Sequence, residues 1–207
     1  MVKKQLVRRK IVNPHVLRAM QTVPRHLFVP SEYRHMAYED GPLSIGSRQT
    51  ISQPYVVALM TELLALNPTD RVLEIGVGSG YQTAVLAELV QEVVGIERIN
   101  VLANQARERL ASMGYKNVTV IESDGTLGYP SAAPYDGILV AAAAPSVPQP
   151  LVDQLAEGGR LVIPVGTSVN QVIQRIRRKE DQIHVEKLIP VRFVPLIGEH
   201  GFSNDAY

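Results

Sequence analysis

Three glycines at alternate positions, Gly76, Gly78 and Gly80 in the run Glu74-Ile75-Gly76-Val77-Gly78-Ser79-Gly80, constrain the fold of this chain more than any other feature. Residues 71–75 lead into them with the length and composition of a buried strand, and residues 80–90 follow with those of a helix. A strand, a tight turn and a helix in immediate succession open a βαβ unit of an α/β protein. Without Cβ atoms the turn lets a ligand lie against the backbone, with a helix N-terminus behind it. A dinucleotide fingerprint carries its third glycine one residue later, where this chain has Tyr81.

The same alternation continues. Strands are expected at 92–97, 118–122, 135–141 and 160–165, and helices at about 100–113 and 148–156, with Gly158-Gly159 leading into the strand that follows. This order implies parallel strands with right-handed crossovers. Upstream, Asn13-Pro14 reads as an N-cap and a first-turn proline opening a short helix to about Thr22. A second helix starts at Ser52 to Pro54 and runs to about Leu66, stopped by Asn67-Pro68. Pro24, Pro30, Gly41, Pro42 and Gly46 break up the chain between them, so residues 1–50 are expected to be an irregular extension packed over the main domain. The basic N-terminus, Lys3 to Lys10, reads as the solvated end of a first helix. Residues 169–177 and 183–194 read as strands about a polar turn at Glu180-Asp181, an antiparallel edge on an otherwise parallel sheet.

Ligand sites of open α/β sheets lie at the carboxyl ends of the strands. Glu97 closes the second strand of the unit, and Asp124 follows the third, just before Gly125. A carboxylate there is suited to accept hydrogen bonds from a vicinal diol. Each acid alone has a plainer reading, Glu97-Arg98 as a surface pair and Asp124-Gly125 as a turn dipeptide. A glycine loop preceded by Glu74, with acids at the next two strand ends, is the pattern of Rossmann-like methyltransferases. That likeness implies S-adenosylmethionine as cofactor, with Glu97 at its ribose and Asp124 at its adenine.

Composition narrows the methyl acceptor. There is no cysteine, which excludes disulfides, zinc–thiolate sites and the nucleophile that cytosine C5 methylation needs. Amino-methylating enzymes acting on adenine carry Asn/Asp-Pro-Pro-aromatic after the fourth strand; here the residues are Ala141-Ala142-Ala143-Ala144-Pro145. The histidines His15, His26, His35, His184 and His200 lack metal-ligand spacing, and no metal site is expected. A net charge of +1 exerts no global pull on nucleic acid or a membrane surface. The basic run Arg175, Arg177, Arg178 and Lys179 reads as a solvated hairpin, with RNA as its rival reading. No apolar run reaches the roughly 20 residues of a membrane span; residues 55–66 come nearest and are interrupted by Thr61 and Glu62. The basic N-terminus is followed by no apolar core, so a signal peptide is not expected. The expectation is a cytoplasmic monomer with neither nucleic acid nor a membrane as partner.

One further motif specifies the class. The segment Ile45-Gly46-Ser47-Arg48-Gln49-Thr50-Ile51-Ser52-Gln53-Pro54 resembles the Ile-Gly-x-x-x-Thr-Ile-Ser-x-Pro pattern of the protein-L-isoaspartate (D-aspartate) O-methyltransferase family. The resemblance extends through Pro24-Arg25-His26-Leu27-Phe28-Val29-Pro30, Gly158 to Gly166 and Val191-Arg192-Phe193-Val194-Pro195-Leu196, covering roughly residues 14 to 200. It departs at Ala141, where threonine or glycine is frequent, and at Ile197, where many members carry a threonine whose hydroxyl can serve the cofactor.

The resemblance implies a fold: one Rossmann-like, S-adenosylmethionine-dependent α/β methyltransferase domain over 1–207. Its sheet is doubly wound and mostly parallel, with an antiparallel C-terminal edge and an N-terminal helical extension. It also implies a reaction, methylation of the free α-carboxylate of L-isoaspartyl residues in damaged proteins and peptides, with S-adenosylhomocysteine as product. Implied cofactor contacts are Ile45, Gly46, Ser47, Ile51, Glu74, Gly76, Val77, Gly78, Ser79, Gly80, Glu97, Arg98, Asp124 and Gly125. Ser52 is implied as the catalytic and substrate-orienting hydroxyl, and Val194 as a main-chain contact to the peptide. From the residues alone Ser52 also suits the N-cap of the next helix, where serine is favoured.

Overall fold

The computed structural model describes residues 1–180 and 182–203. Seven strands form one sheet in the order β5-β4-β3-β6-β7-β8-β9. They are β3 (Arg71–Ile75), β4 (Glu92–Glu97), β5 (Val118–Glu122), β6 (Tyr135–Val140), β7 (Leu155–Gly166), β8 (Gln171–Lys179) and β9 (Gln182–Val191). Pairing is parallel from β5 to β7 and antiparallel from β7 to β9. The order reverses between β4 and β6 on either side of β3, which puts a crevice at the carboxyl end of β3, where the glycine loop leaves the sheet.

Period-two alternation of apolar residues makes both faces of the sheet hydrophobic, as a covered parallel sheet requires. Val72, Val93, Leu139, Val162 and Ile173 meet α2 (Pro54–Leu64) and α3 (Tyr81–Ala87). Leu73, Ile75, Val94, Ile96, Ile138, Val140, Leu161 and Ile163 form the core of the other face, with Leu151 of α5 (Gln149–Asp153). The longest helix, α4 (Asn100–Ser112), buries Leu102, Ala103, Ala106 and Leu110.

Several boundaries differ from the sequence reading. Helix α2 ends at Leu64 because Ala65 adopts a left-handed conformation, φ 48°, ahead of Asn67-Pro68. The expected helix at 148–156 is only α5, since the chain already joins β7 at Leu155; Gly158-Gly159 sits inside the strand, at an irregularity in its pairing with β6. The last ladder stops at Val191 rather than residue 194. In the polar turn, Glu180 has φ 52°, and Asp181 lies outside the described residues.

The first 50 residues are more ordered than the proline and glycine content suggests. A single wide turn over Val2–Leu6 and a 3-10 turn over Val7–Arg9 replace the expected basic helix, and Leu6 is fully buried. Helix α1 (Pro14–Thr22) is capped by Asn13, whose side chain accepts from His15 N and Val16 N. A two-stranded hairpin, β1 (Leu43–Gly46) and β2 (Gln49–Ile51), turns at Ser47 and Arg48 with φ 50° and 57°. Two successive positive φ values are what a two-residue hairpin turn needs, although glycine or asparagine ordinarily supplies them.

This segment packs against the helices beside the crevice: Phe28 meets the Tyr81 ring edge-on at 5.5 Å, and the fully buried Arg25 guanidinium lies over the same ring at 4.8 Å. Arg25 Nε donates to Ala37 O at 2.7 Å, and burial pulls its pKa down to about 10. Arg9 pairs with Asp40 and stacks on Tyr55, and Asp136 at the start of β6 accepts from Arg71 N. Among the described residues no helix is long and apolar enough to cross a membrane.

Candidate active site

The glycine loop is held to the sheet through its backbone. Gly76 N and Val77 N both donate to Ile96 O, and Gly80 N closes a turn onto Val77 O. Gly76, Gly78 and Gly80 have φ of 86°, 54° and 87°, a region side-chain-bearing residues seldom enter. A Cβ at Gly78 would stand 3.2 Å from Ile45 Cδ1 of the hairpin, and one at Gly80 would stand 3.3 Å from Leu110 Cδ1. The loop is therefore pinched between the hairpin and α4.

Glu97 completes this wall. Its carboxylate is 6% exposed, accepts from Gly78 N at 2.9 Å through Oε2, and from Ile99 N at 2.9 Å through Oε1. Two backbone donors fix its direction, and a carboxylate has further lone pairs to offer a diol. Glu74 lies behind the loop with 0% exposure, and neither of its oxygens has a hydrogen-bond partner. Burial pushes its pKa up to about 8; the nearby Thr83 hydroxyl pulls against that shift without forming a bond, and the Glu97 charge adds to it.

A cleft of about 1010 Å³, open mouth included, occupies the crevice. It is lined by the predicted Ile51, Ser52, Gly76, Val77, Gly78, Ser79, Glu97, Arg98 and Gly125. Ile45, Gly46, Ser47, Glu74, Gly80 and Asp124 are not among its lining residues; Gly46 and Ser47 are exposed at the hairpin turn. Asp124 caps the turn Gly125–Leu127, accepting from Thr126 N and Thr126 Oγ1 through Oδ1, and its Oδ2 accepts from Glu199 N. These bonds hold its carboxyl below the ordinary aspartate pKa despite partial burial. Asp124 thus ties the C-terminal segment down beside the cleft, with its neighbour Gly125 in the lining.

Sequence reasoning missed Tyr81, Gln82, Ile99, Ala142 and Leu196 as lining residues. Ile99 and Ala142 follow strand ends and were open to the same argument as Glu97; Leu196 arrives from a distant part of the chain, and its only signal was its place in the family match over residues 191–196. Ile197 also lines the cleft, so the C-terminal wall is present there as an apolar contact.

A second groove, lined by Arg9, Pro42, Tyr55 and the chain from Ile189 to Val194, joins the cleft. Thr50, Ser52, Ala141, Phe193 and Val194 belong to both. Ser52 does not cap α2: Pro54 is the first helical residue, Gln53 takes the cap position, and the helix start has no side-chain cap. The Ser52 hydroxyl has no hydrogen-bond partner among the described residues. Val194 O accepts from Ala143 N at 2.8 Å, while its N–H makes no hydrogen bond among those residues. The basic run does not face this site; it lies along β8, where Arg175 pairs with Glu186. Among the described residues no three His, Asp or Glu side chains are grouped to hold a metal.

The cleft fits S-adenosylmethionine in its chemistry: a side-chain-free loop at one strand end and a doubly anchored carboxylate at the next, both opening on one crevice. A sequence profile of the protein-L-isoaspartate (D-aspartate) O-methyltransferase family matches residues 1–201. A protein-L-isoaspartate O-methyltransferase of Methanoregula boonei is 58% identical over 204 residues, 99% of this chain and 94% of that protein. One of Methanospirillum hungatei is 52% identical over 205 residues, 99% and 95% of the two chains. A solved structure described as a protein-L-isoaspartate O-methyltransferase superposes with a TM-score of 0.88 at 29% identity, covering 97% of this chain and 67% of that one. A Plasmodium falciparum structure of the same description, in complex with S-adenosyl-L-homocysteine, gives 0.83 at 29% identity over 95% and 96%. With the profile spanning nearly the whole sequence and relatives above half identity, the chain belongs to the protein-L-isoaspartate (D-aspartate) O-methyltransferase family.

Proposed function

We propose that this protein transfers a methyl group from S-adenosylmethionine to the free α-carboxylate of L-isoaspartyl residues in damaged proteins and peptides, starting repair through a methyl ester and a succinimide. The observation that carries this reading is the Ser52 hydroxyl, without a hydrogen-bond partner among the described residues, at the junction of the cofactor cleft and the open groove. When bound, the cofactor supplies an electrophilic methyl on its sulfonium. The glycine loop and Glu97 hold it, Arg98 and Gly125 flank it, and the hairpin carrying Ile45 to Ser47 closes over Gly78.

An α-carboxylate has a pKa of about 3.5 and is ionised at neutral pH, so the acceptor needs no general base. Ser52 donates one hydrogen bond to it, enough to orient the oxygen without the charge neutralisation that several donors or an arginine clamp would impose. The apolar walls at Ile51, Ala141 and Val194 strip water from the carboxylate and strengthen its attraction to the cationic donor. The groove's backbone edge suits a protein that must accept many peptide sequences around one lesion. We read residues 1–207 as one methyltransferase domain, supported by the common core of Leu6, Ile11 and Phe28 with Tyr81 and Ala106, and the protein as a cytoplasmic monomer.

The test is transfer of radiolabelled methyl to an isoaspartyl peptide beside its normal aspartyl twin. Base-labile label on the isoaspartyl peptide alone is expected. Equal labelling of both, or of neither, would refute the assignment.

A further inference from the structure

The groove's inner wall depends on a side chain outside both sites. Gln171, at the first position of β8, is 2% exposed, and its side-chain amide makes two bonds to one residue. Phe193 N donates to Gln171 Oε1 at 2.6 Å, and Gln171 Nε2 donates to Phe193 O at 3.2 Å. The sheet explains why. The ladder between β8 and β9 ends at the pair Gln171 and Val191. Its continuation would set Val169 opposite Phe193, but the chain turns away there: Thr167 N donates to Asn170 O, and Asn170 N donates to Thr167 Oγ1. With no strand left to pair with, Phe193 finds both its donor and its acceptor satisfied by an amide that mimics a peptide unit.

This bond pair acts at the boundary of the two sites. Phe193 and Val194 line both cleft and groove, and Arg192 lines the groove. Beyond them the chain is caught again, by Ala143 N to Val194 O and Leu196 N to Ala143 O. Residues 192–194 therefore span between two anchors, Gln171 and Ala143, outside any strand. Neighbouring backbone groups in extended chain point to opposite sides, so fixing Phe193 toward Gln171 sets the opposite direction for the unpaired N–H of Val194.

We propose that Gln171 is a positioning residue for the peptide substrate, its buried amide holding the Phe193 backbone so that the groove wall at Arg192 and Val194 is presented in one conformation. This rests on the assignment of the groove to an isoaspartyl peptide. A merely structural Gln171 would, when replaced, lower stability and every kinetic constant together. A positioning residue separates them.

The experiment compares wild type with Gln171→Met and Gln171→Glu, measuring KM and kcat with an isoaspartyl peptide, the cofactor dissociation constant by calorimetry, and the melting temperature. Methionine fills the space without either bond, and glutamate keeps the acceptor but loses the donor toward Phe193 O. The peptide KM is expected to rise about tenfold in Gln171→Met, while the cofactor dissociation constant changes by less than about threefold. Gln171→Glu should show the same split and decides the matter if the methionine variant does not fold. An unchanged peptide KM in a folded variant, or parallel losses in KM, kcat and cofactor binding, would overturn the proposal. A wild type that labels no isoaspartyl peptide would overturn the assignment of the groove and the proposal with it, whereas an active wild type whose variants keep their KM overturns the proposal alone.

Discussion

Replacing Glu74 with glutamine should change how stability depends on pH. In the cofactor-free fold the Glu74 carboxyl is fully buried without a hydrogen-bond partner and keeps its proton to about pH 8, against an unperturbed value of 4.5. Between those values the native state binds a proton that the unfolded chain has released, so unfolding becomes easier as pH rises. Each pH unit in the window removes about 1.4 kcal/mol. Relative to acid conditions, the wild type forgoes about 3 kcal/mol by pH 7 and about 4 kcal/mol by pH 8. Glutamine has no proton to lose, so Glu74→Gln escapes that decline, and the titrating groups not coupled to Glu74 cancel in the comparison. Urea unfolding of both proteins without cofactor, at pH 5 and pH 8, reads the difference directly. Glu74→Gln should gain on the wild type by about 3 to 4 kcal/mol between the two. Stability curves that run parallel would refute the reasoning, since the carboxyl would then ionise at the same pH folded and unfolded.

Ser52→Ala should lower kcat/KM for isoaspartyl peptide by about 10- to 100-fold, the cost of one hydrogen bond to a charged group, with cofactor affinity nearly unchanged by calorimetry; matched losses would remove Ser52 from the substrate. Glu97→Ala should weaken S-adenosylmethionine binding by about tenfold or more and free Gly78 N and Ile99 N from their acceptor; an unaltered dissociation constant would exclude it from the site. Gly125→Ala would set a Cβ 2.4 Å from Ile75 Cγ2 in the cleft wall. It should cost about 1–3 kcal/mol of stability by overpacking, and a melting temperature equal to wild type would show that Ile75 gives way freely.

The parallel core was legible because each of its signals is local: buried apolar runs, a glycine loop, and acids where strands stop. Glu97 stands where that argument put it. The hairpin of β1 and β2 was not legible, because Ser47 and Arg48 hold positive φ without the glycine or asparagine that advertises such a turn. The capping alternative for Ser52 failed through Pro54, which fixes the first helical position and leaves the cap to Gln53. Asp124 stands at the strand end where it was read, but the bonds its carboxylate accepts from Thr126 and Glu199 were not legible, since Glu199 lies 75 residues away in sequence. The role of Gln171 is equally invisible in one dimension, since it depends on where one ladder stops.

The tethering of Asp124 has a consequence for the enzyme's own ageing. Among aspartyl sites isoaspartate arises fastest at Asp-Gly, where the following nitrogen attacks the side-chain carboxyl with least obstruction, and this chain contains Asp40-Gly41, Asp124-Gly125 and Asp136-Gly137. In the folded protein each carboxylate is held elsewhere: Asp40 by Arg9, Asp124 by Thr126 N and Glu199 N, Asp136 by Arg71 N. The rotation that would bring each one onto its neighbour's nitrogen requires breaking those bonds. Self-inflicted damage then enters chiefly through molecules that have come unfolded, so folding stability doubles as a shelf life, and the chain is shielded from the lesion we propose it repairs for as long as it keeps its shape.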